Sequence, residues 1–241
     1  MKYLIILSIL IIVIFINYGC ITNNIEKYTN TKDLININKY IDVVYYINLD
    51  HRTDRNTQLL NELSKTDITQ DKIKRTSAIR DINNGALGCS KSHIKVLQQF
   101  INSNYTNCLI LEDDFGFSQN SNIINDLFNK FFNSKINYDV IMLSSNTLKE
   151  KSTKYNFINK IIDAQTTSGY IVTKQFAPLL LQNYIEGTNL LQETSNKPMY
   201  SIDIHWKKLQ PKNNWYVFNP KIGYQIESYS DIENKTINYK V

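Results

Sequence analysis

The chain of 241 residues is long enough for one globular domain with a real core and short for two. Its 42% hydrophobic and 12% aromatic content, with few Gly and Pro, excludes disordered, collagen-like and low-complexity classes. The net charge of +5 comes as Lys scattered among Asn and Ile, without the dense basic stripe that nucleic-acid binding requires, so no nucleic-acid partner is expected.

The chain opens on an apolar run at residues 3–16, interrupted by Ser8 and followed by Asn17-Tyr18-Gly19-Cys20-Ile21. This is a membrane-directing segment. Extended to Ile21, it falls between a signal-peptide core and the roughly 20 residues that span a bilayer. Cleavage after Gly19 or Cys20 leaves Asn17 or Tyr18 where a small residue is wanted, which favours an uncleaved anchor at residues 1–21 over a signal peptide. Gly19-Cys20 is a weak lipobox, since Asn17 stands where an aliphatic residue belongs. With Lys2 on the cytoplasmic side, a single-pass chain carries its body into a lumen or outside the cell, and a cleaved one is secreted. The tripeptides at Asn104 and Asn234 then qualify as glycosylation acceptors, a signal frequent by chance in an Asn-rich chain.

Residues 22–40, polar and without a period, read as a stem, and 41–241 as the domain. The β-branched and aromatic run 42–48 predicts a buried strand. Residues 53–64 predict a helix through Leu59, Leu60 and Leu63, capped by Thr53 or Asp54. A second helix is expected at 91–103 with Ser90 as N-cap, then a strand at 108–111, a helix at 123–132, strands at 139–143 and 169–173, and a helix at 176–184. This alternation predicts an α/β domain with a largely parallel sheet.

The strand at 108–111 delivers Glu112, Asp113 and Asp114 at its carboxyl end, where open α/β sheets bind ligands. Three adjacent carboxylates cannot be buried without compensation, because desolvating each anion costs several kcal/mol. A hard divalent cation with oxygen ligands supplies it, and a solvated acidic turn is the alternative. Strand alternation points Glu112 and Asp114 to one face and Asp113 to the other, making Asp114 the first choice for direct metal contact. Cys20, Cys89 and Cys108 form no C-x-x-C pair or His-interleaved spacing, which speaks against zinc. Their spacing leaves open whether Cys89 and Cys108 pair.

Four segments in order, Tyr46-Ile-Asn-Leu-Asp-His-Arg-Thr-Asp-Arg55, Gly85-Ala-Leu-Gly-Cys-Ser-Lys-Ser-His93, Leu109-Ile-Leu-Glu-Asp-Asp114 and Thr167-Ser-Gly-Tyr170, together resemble glycosyltransferase family 25. That family includes lipooligosaccharide and procollagen galactosyltransferases and giant-virus proteins. The resemblance implies a GT-A-like nucleotide-sugar-binding fold, a UDP-sugar donor, usually UDP-galactose, inversion at the anomeric carbon, a saccharide or protein acceptor, and Mn²⁺ or Mg²⁺ on the E-D-D triplet. The segment 78–88 is compact beside longer members, so specificity transfers least.

By the same resemblance Asn48, Arg52 and Arg55 contact the nucleotide, with an Arg fork suited to diphosphate oxygens. Ser90 and His93 begin a helix whose amides favour an anion, and Gly169 before Tyr170 lets a sugar approach the backbone. Asp203 is the candidate base, and His205 an additional metal ligand. Surface charge, capping, core packing and a β-bulge are the plain alternatives for these residues. Two rival functions are a catalytically inactive sugar-binding relative and a metal-dependent hydrolase, the latter leaving Asn48-Leu-Asp-His-Arg52 unexplained.

Overall fold

The computed structural model describes residues 34–230 and 235–237. The N-terminal apolar run, most of the stem, Cys20 and Asn234 therefore lie outside the described residues. Among the described residues, no helix is long and apolar enough to cross a membrane.

The domain begins before residue 41. Ile35, Ile37 and Ile41 are buried, and the Asp67 carboxylate accepts from the backbone N–H of Ile37 and Asn38. The last part of the expected stem is thus core, because its isoleucines close one edge of the packed layer.

The elements run β1 (Val43–Asn48), α1 (Thr53–Leu63), β2 (Ile73–Ser77), α2 (Gly85–Ile101), β3 (Asn107–Glu112), β4 (Phe115–Phe117), α3 (Ser121–Asn133), β5 (Val140–Met142), β6 (Asn146–Ser152), β7 (Ile158–Gln165), β8 (Gly169–Thr173) and α4 (Ala177–Thr194). Short helices α5 (Lys197–Tyr200) and α6 (Ile202–His205) lead to β9 (Trp215–Phe218), β10 (Gly223–Gln225), β11 (Ser228–Ser230) and β12 (Lys235–Ile237).

Eight strands form one sheet in the order β2-β1-β3-β8-β5-β9-β7-β6. The pairings make β8 and β7 antiparallel to their neighbours and set the other six strands in one direction, so the α/β class and the largely parallel sheet are as expected.

Side-chain alternation explains the unbroken apolar strands. On β1, Val44 and Tyr46 join the layer with Leu59 and Leu63 of α1 and Phe128 and Phe131 of α3. Val43, Tyr45 and Ile47 join the opposite layer, with Val96, Leu97 and Phe100 of α2 and Leu180 and Tyr184 of α4. Both faces are covered, so the strands have no polar side to show.

Helix α2 starts at Gly85, six residues ahead of the expected 91, with Asn84 as N-cap accepting from Leu87 N–H. Ser90 is therefore no cap but a buried interior residue whose hydroxyl donates to the Ala86 carbonyl. Gly88 is required by contact, since a Cβ there would lie 2.5 Å from the Ile79 carbonyl oxygen. Helix α4 runs ten residues past the expected end, to Thr194, and stops on Ser195 in the left-handed conformation at φ 56°.

Candidate active site

The parallel register puts Asn48 beside Ser77, and Ile47 beside Glu112, at the carboxyl ends of adjacent strands. A cavity of about 200 Å³ opens there, lined among others by Asn48, Arg55, Cys89, His93, Glu112, Asp113, Asp114 and Gln225. Residues from all the motif segments before Thr167 meet in it. Loop residues Ile79, Arg80, Asp81 and Ile82 form its rim.

Strand β3 ends at Glu112, and Asp113 and Asp114 occupy the turn into β4. The strand alternation expected to separate Asp113 from Asp114 therefore does not reach them. Instead both face one guanidinium: Arg55 Nη1 lies 2.9 Å from Asp113 Oδ1 and 3.4 Å from Asp114 Oδ2. Asp113 also accepts from Asn48 Nδ2 at 2.8 Å, and Asn48 Oδ1 in turn accepts from Arg75. Glu112 turns to another set of partners: the Thr167 hydroxyl donates to it at 2.5 Å, and His93 Nε2 lies 3.2 Å away.

The charges are unequal to the task of compensation. Burial first, then the negative charge of Glu112, drives the Asp114 carboxyl up to about 7 against the pull of Arg55. Its Oδ2 accepts from Gln225 Nε2 at 3.0 Å, while its buried Oδ1 has no hydrogen-bond partner among the described residues. Burial also raises Asp113, in spite of Arg55 and Asn48. Glu112 is penalised by burial too, but His93 and the Thr167 hydroxyl outweigh this and hold it below the usual glutamate value. A buried carboxylate oxygen with no donor, beside two further acids, is a donor set that fits a hard divalent cation.

Several expected residues stand elsewhere. Arg52 is the residue before α1, its guanidinium engages Asp54, and it does not line the cavity. Its carbonyl accepts from Asn48 Nδ2. His93 lies in the third turn of α2 rather than at its start, so the helix amides do not serve it. Gly169 is buried and makes room for the Phe115 ring, whose Cδ2 would be 2.5 Å from an added Cβ. Tyr170 is fully buried, with its hydroxyl 3.0 Å from His93 Nδ1.

His205 is not brought to the acidic cluster. Its Nε2 meets Lys208 Nζ at 3.0 Å and Glu186 at 3.6 Å, with the ring packed on Gly187. Asp203, earlier on the same short helix, is half-buried and accepts from Thr166 N–H at 3.2 Å. Burial raises its carboxyl, and the charge of Glu112 adds to this. Thr166 holds φ at 87°, a strained value for a β-branched residue. Asp203 does not itself line the cavity, but its charge acts on Cys89, which does.

The model of glycosyltransferase family 25 (LPS biosynthesis protein) matches residues 41–194, well over half of the chain. The chain belongs to glycosyltransferase family 25. The family-25 segment covers β1 through α4 and so includes Asn48, Arg55, His93 and the acidic triplet, while Asp203 and Gln225 lie beyond it. No curated protein matches the sequence.

Among solved structures, A197 from STIV has 15% identity and a TM-score of 0.45, over 82% of this chain and 93% of that one. A glycosyltransferase involved in the glycosylation of the major capsid of PBCV-1 has 11% identity and a TM-score of 0.47, over 80% and 95%. A mannose-1-phosphate geranyltransferase from Thermus thermophilus has 8% identity and a TM-score of 0.41, over 80% and 76%.

Gln225, Thr167 and Cys89 are site residues that motif roles did not single out. Gln225 is 111 residues from the Asp114 it contacts, brought in by pairing of β10 with β4. Cys89 and Cys108 are both free thiols in the structure.

Proposed function

We propose that this glycosyltransferase moves a hexose, galactose in the first instance, from a UDP-sugar to a hydroxyl of a saccharide or protein acceptor, with inversion. The observation that carries the reading is the buried Asp114 Oδ1, without a hydrogen-bond partner among the described residues, in a cavity at the carboxyl ends of β1 and β3. Asp114 would hold Mn²⁺ or Mg²⁺, with Glu112 and Asp113 in reach. When bound, such an ion supplies charge stabilisation for the departing diphosphate.

The chain's own residues then divide the remaining work. Arg55 has its guanidinium at the cavity wall, where donor phosphates would share it with Asp113 and Asp114. Asn48, fixed by Arg75 and Asp113, holds the carboxyl end of β1 in place beneath the nucleotide. Asp203 is the base that would take the acceptor hydroxyl proton, and its raised pKa keeps it basic enough for that transfer. The N-terminal apolar run, on this reading, holds the domain at a membrane on the lumenal or external side.

The test is a screen of the purified protein with UDP-galactose and UDP-glucose, with Mn²⁺, Mg²⁺ or chelator. Transfer or donor hydrolysis is expected only with a divalent ion, and Asp114→Ala abolishes it. Absence of binding to any nucleotide sugar, with or without metal, refutes the reading.

A further inference from the structure

The sequence spacing of the cysteines argues against zinc, yet folding creates a ligand set that no linear pattern shows. Cys89 and His93 are one turn apart on α2, and Glu112 faces them from the end of β3. Cys89 Sγ, a His93 ring nitrogen and a Glu112 carboxylate oxygen all lie within 4.8 Å of one another. We propose that Cys89, His93 and Glu112 form a second metal site, one that takes a soft divalent cation such as Zn²⁺.

Three features support it. Tetrahedral zinc holds its sulfur, nitrogen and oxygen ligands roughly 3.5 Å apart, and His93 Nε2 already stands 3.2 Å from Glu112 Oε1. The outer partners are those a metal-bound histidine and carboxylate use. The Tyr170 hydroxyl, 3.0 Å from His93 Nδ1, can accept from it and leave Nε2 for the ion, and Thr167 Oγ1 steadies Glu112. Finally, all three ligands line the cavity, so the fourth position of the ion opens into it.

This set differs in character from the acidic one. A thiolate and an imidazole select a soft or borderline ion over Mg²⁺ or Mn²⁺, whereas Asp113 and Asp114 offer only oxygen. Glu112 is common to both, so Zn²⁺ bound here draws that carboxylate away from a hard ion. The site itself needs only the three side chains and does not depend on the donor reading.

The experiment is titration of the full-length protein with Co²⁺, read by the near-ultraviolet thiolate-to-cobalt absorption. One equivalent is expected to bind with that band and to be displaced by Zn²⁺. The band should be lost in Cys89→Ser, where Cys20 and Cys108 remain, and in His93→Gln, and retained in Asp114→Asn. Far-ultraviolet circular dichroism checks that each variant is folded. No band in the wild-type protein overturns the proposal without recourse to any variant, and so does a band that survives in folded Cys89→Ser. Neither result bears on nucleotide-sugar binding, which the donor screen reads separately.

Discussion

Arg55 Nη1 sits 2.9 Å from Asp113 Oδ1, and both side chains are about nine-tenths withdrawn from solvent. Such a pair is costly to break, because its removal strands a buried charge rather than returning two charges to water. Arg55→Ala, which also deprives Asp114 of its nearby cation, should lower stability by about 3–5 kcal/mol. Urea unfolding measures this. A loss below about 1 kcal/mol would mean that the pair behaves as a surface contact.

Asp114 gives a pH signature. Its carboxyl is raised by folding from 3.8 to about 7, by burial and then by Glu112. The folded state therefore binds the proton more tightly than the unfolded chain. This stabilising contribution is complete below 3.8 and is lost as pH climbs through about 7. Metal-free protein should lose melting temperature across that window, and Asp114→Asn should flatten the loss while abolishing transfer. Superimposable melting profiles for wild type and variant would refute the assignment.

Gly169 separates a packing role from a sugar-contact role. A Cβ at this position meets the Phe115 ring, so Gly169→Ala should cost about 1–3 kcal/mol through overpacking. At a temperature where the variant is folded, its KM for the donor should match wild type. A donor KM raised tenfold with stability unchanged would restore the sugar-contact role.

What the sequence disclosed follows from which forces act locally. Strands β1 and β3 were legible because both faces are buried, leaving continuous apolar runs. The hairpin of β6 and β7 was not, since the edge strand carries Lys149, Glu150 and Lys151 in the open, as edge strands do to avoid further pairing. The start of α2 was obscured by Gly85 and Gly88, which look like breakers until the close approach of the Ile79 carbonyl is seen. The acidic triplet was visible as chemistry, but its partition between Arg55, His93 and Gln225 depends on long-range contacts.

His205 tests that partition from the opposite side. Its ring belongs to Glu186 and Lys208, and burial followed by the Lys208 charge lowers its pKa, so it stays neutral near pH 7. His205→Ala should leave the metal concentration for half-maximal activity unchanged within about twofold, since its ring nitrogen meets Lys208 and Glu186 rather than the acidic cluster, whereas loss of even a residue that orients a ligand typically costs about 10–100-fold. A tenfold rise would return His205 to the metal.

On the proposed mechanism, Asp203 carries the greatest weight with the least direct contact. A general base contributes about 10²–10⁴ in rate, so Asp203→Asn should lose kcat on that scale with donor KM and melting temperature little altered. The pH profile gives an independent reading. A base must be ionised to act, and burial raises this carboxyl, so the acidic limb of kcat should lie above the ordinary carboxylate range and rise with pH. The same substitution also alters the acceptor of the Thr166 N–H, and Thr166 is strained. Positioning and proton transfer therefore diverge in the outcome. Loss of kcat with an intact acidic limb assigns Asp203 to holding Thr166, and loss of both assigns it to the proton.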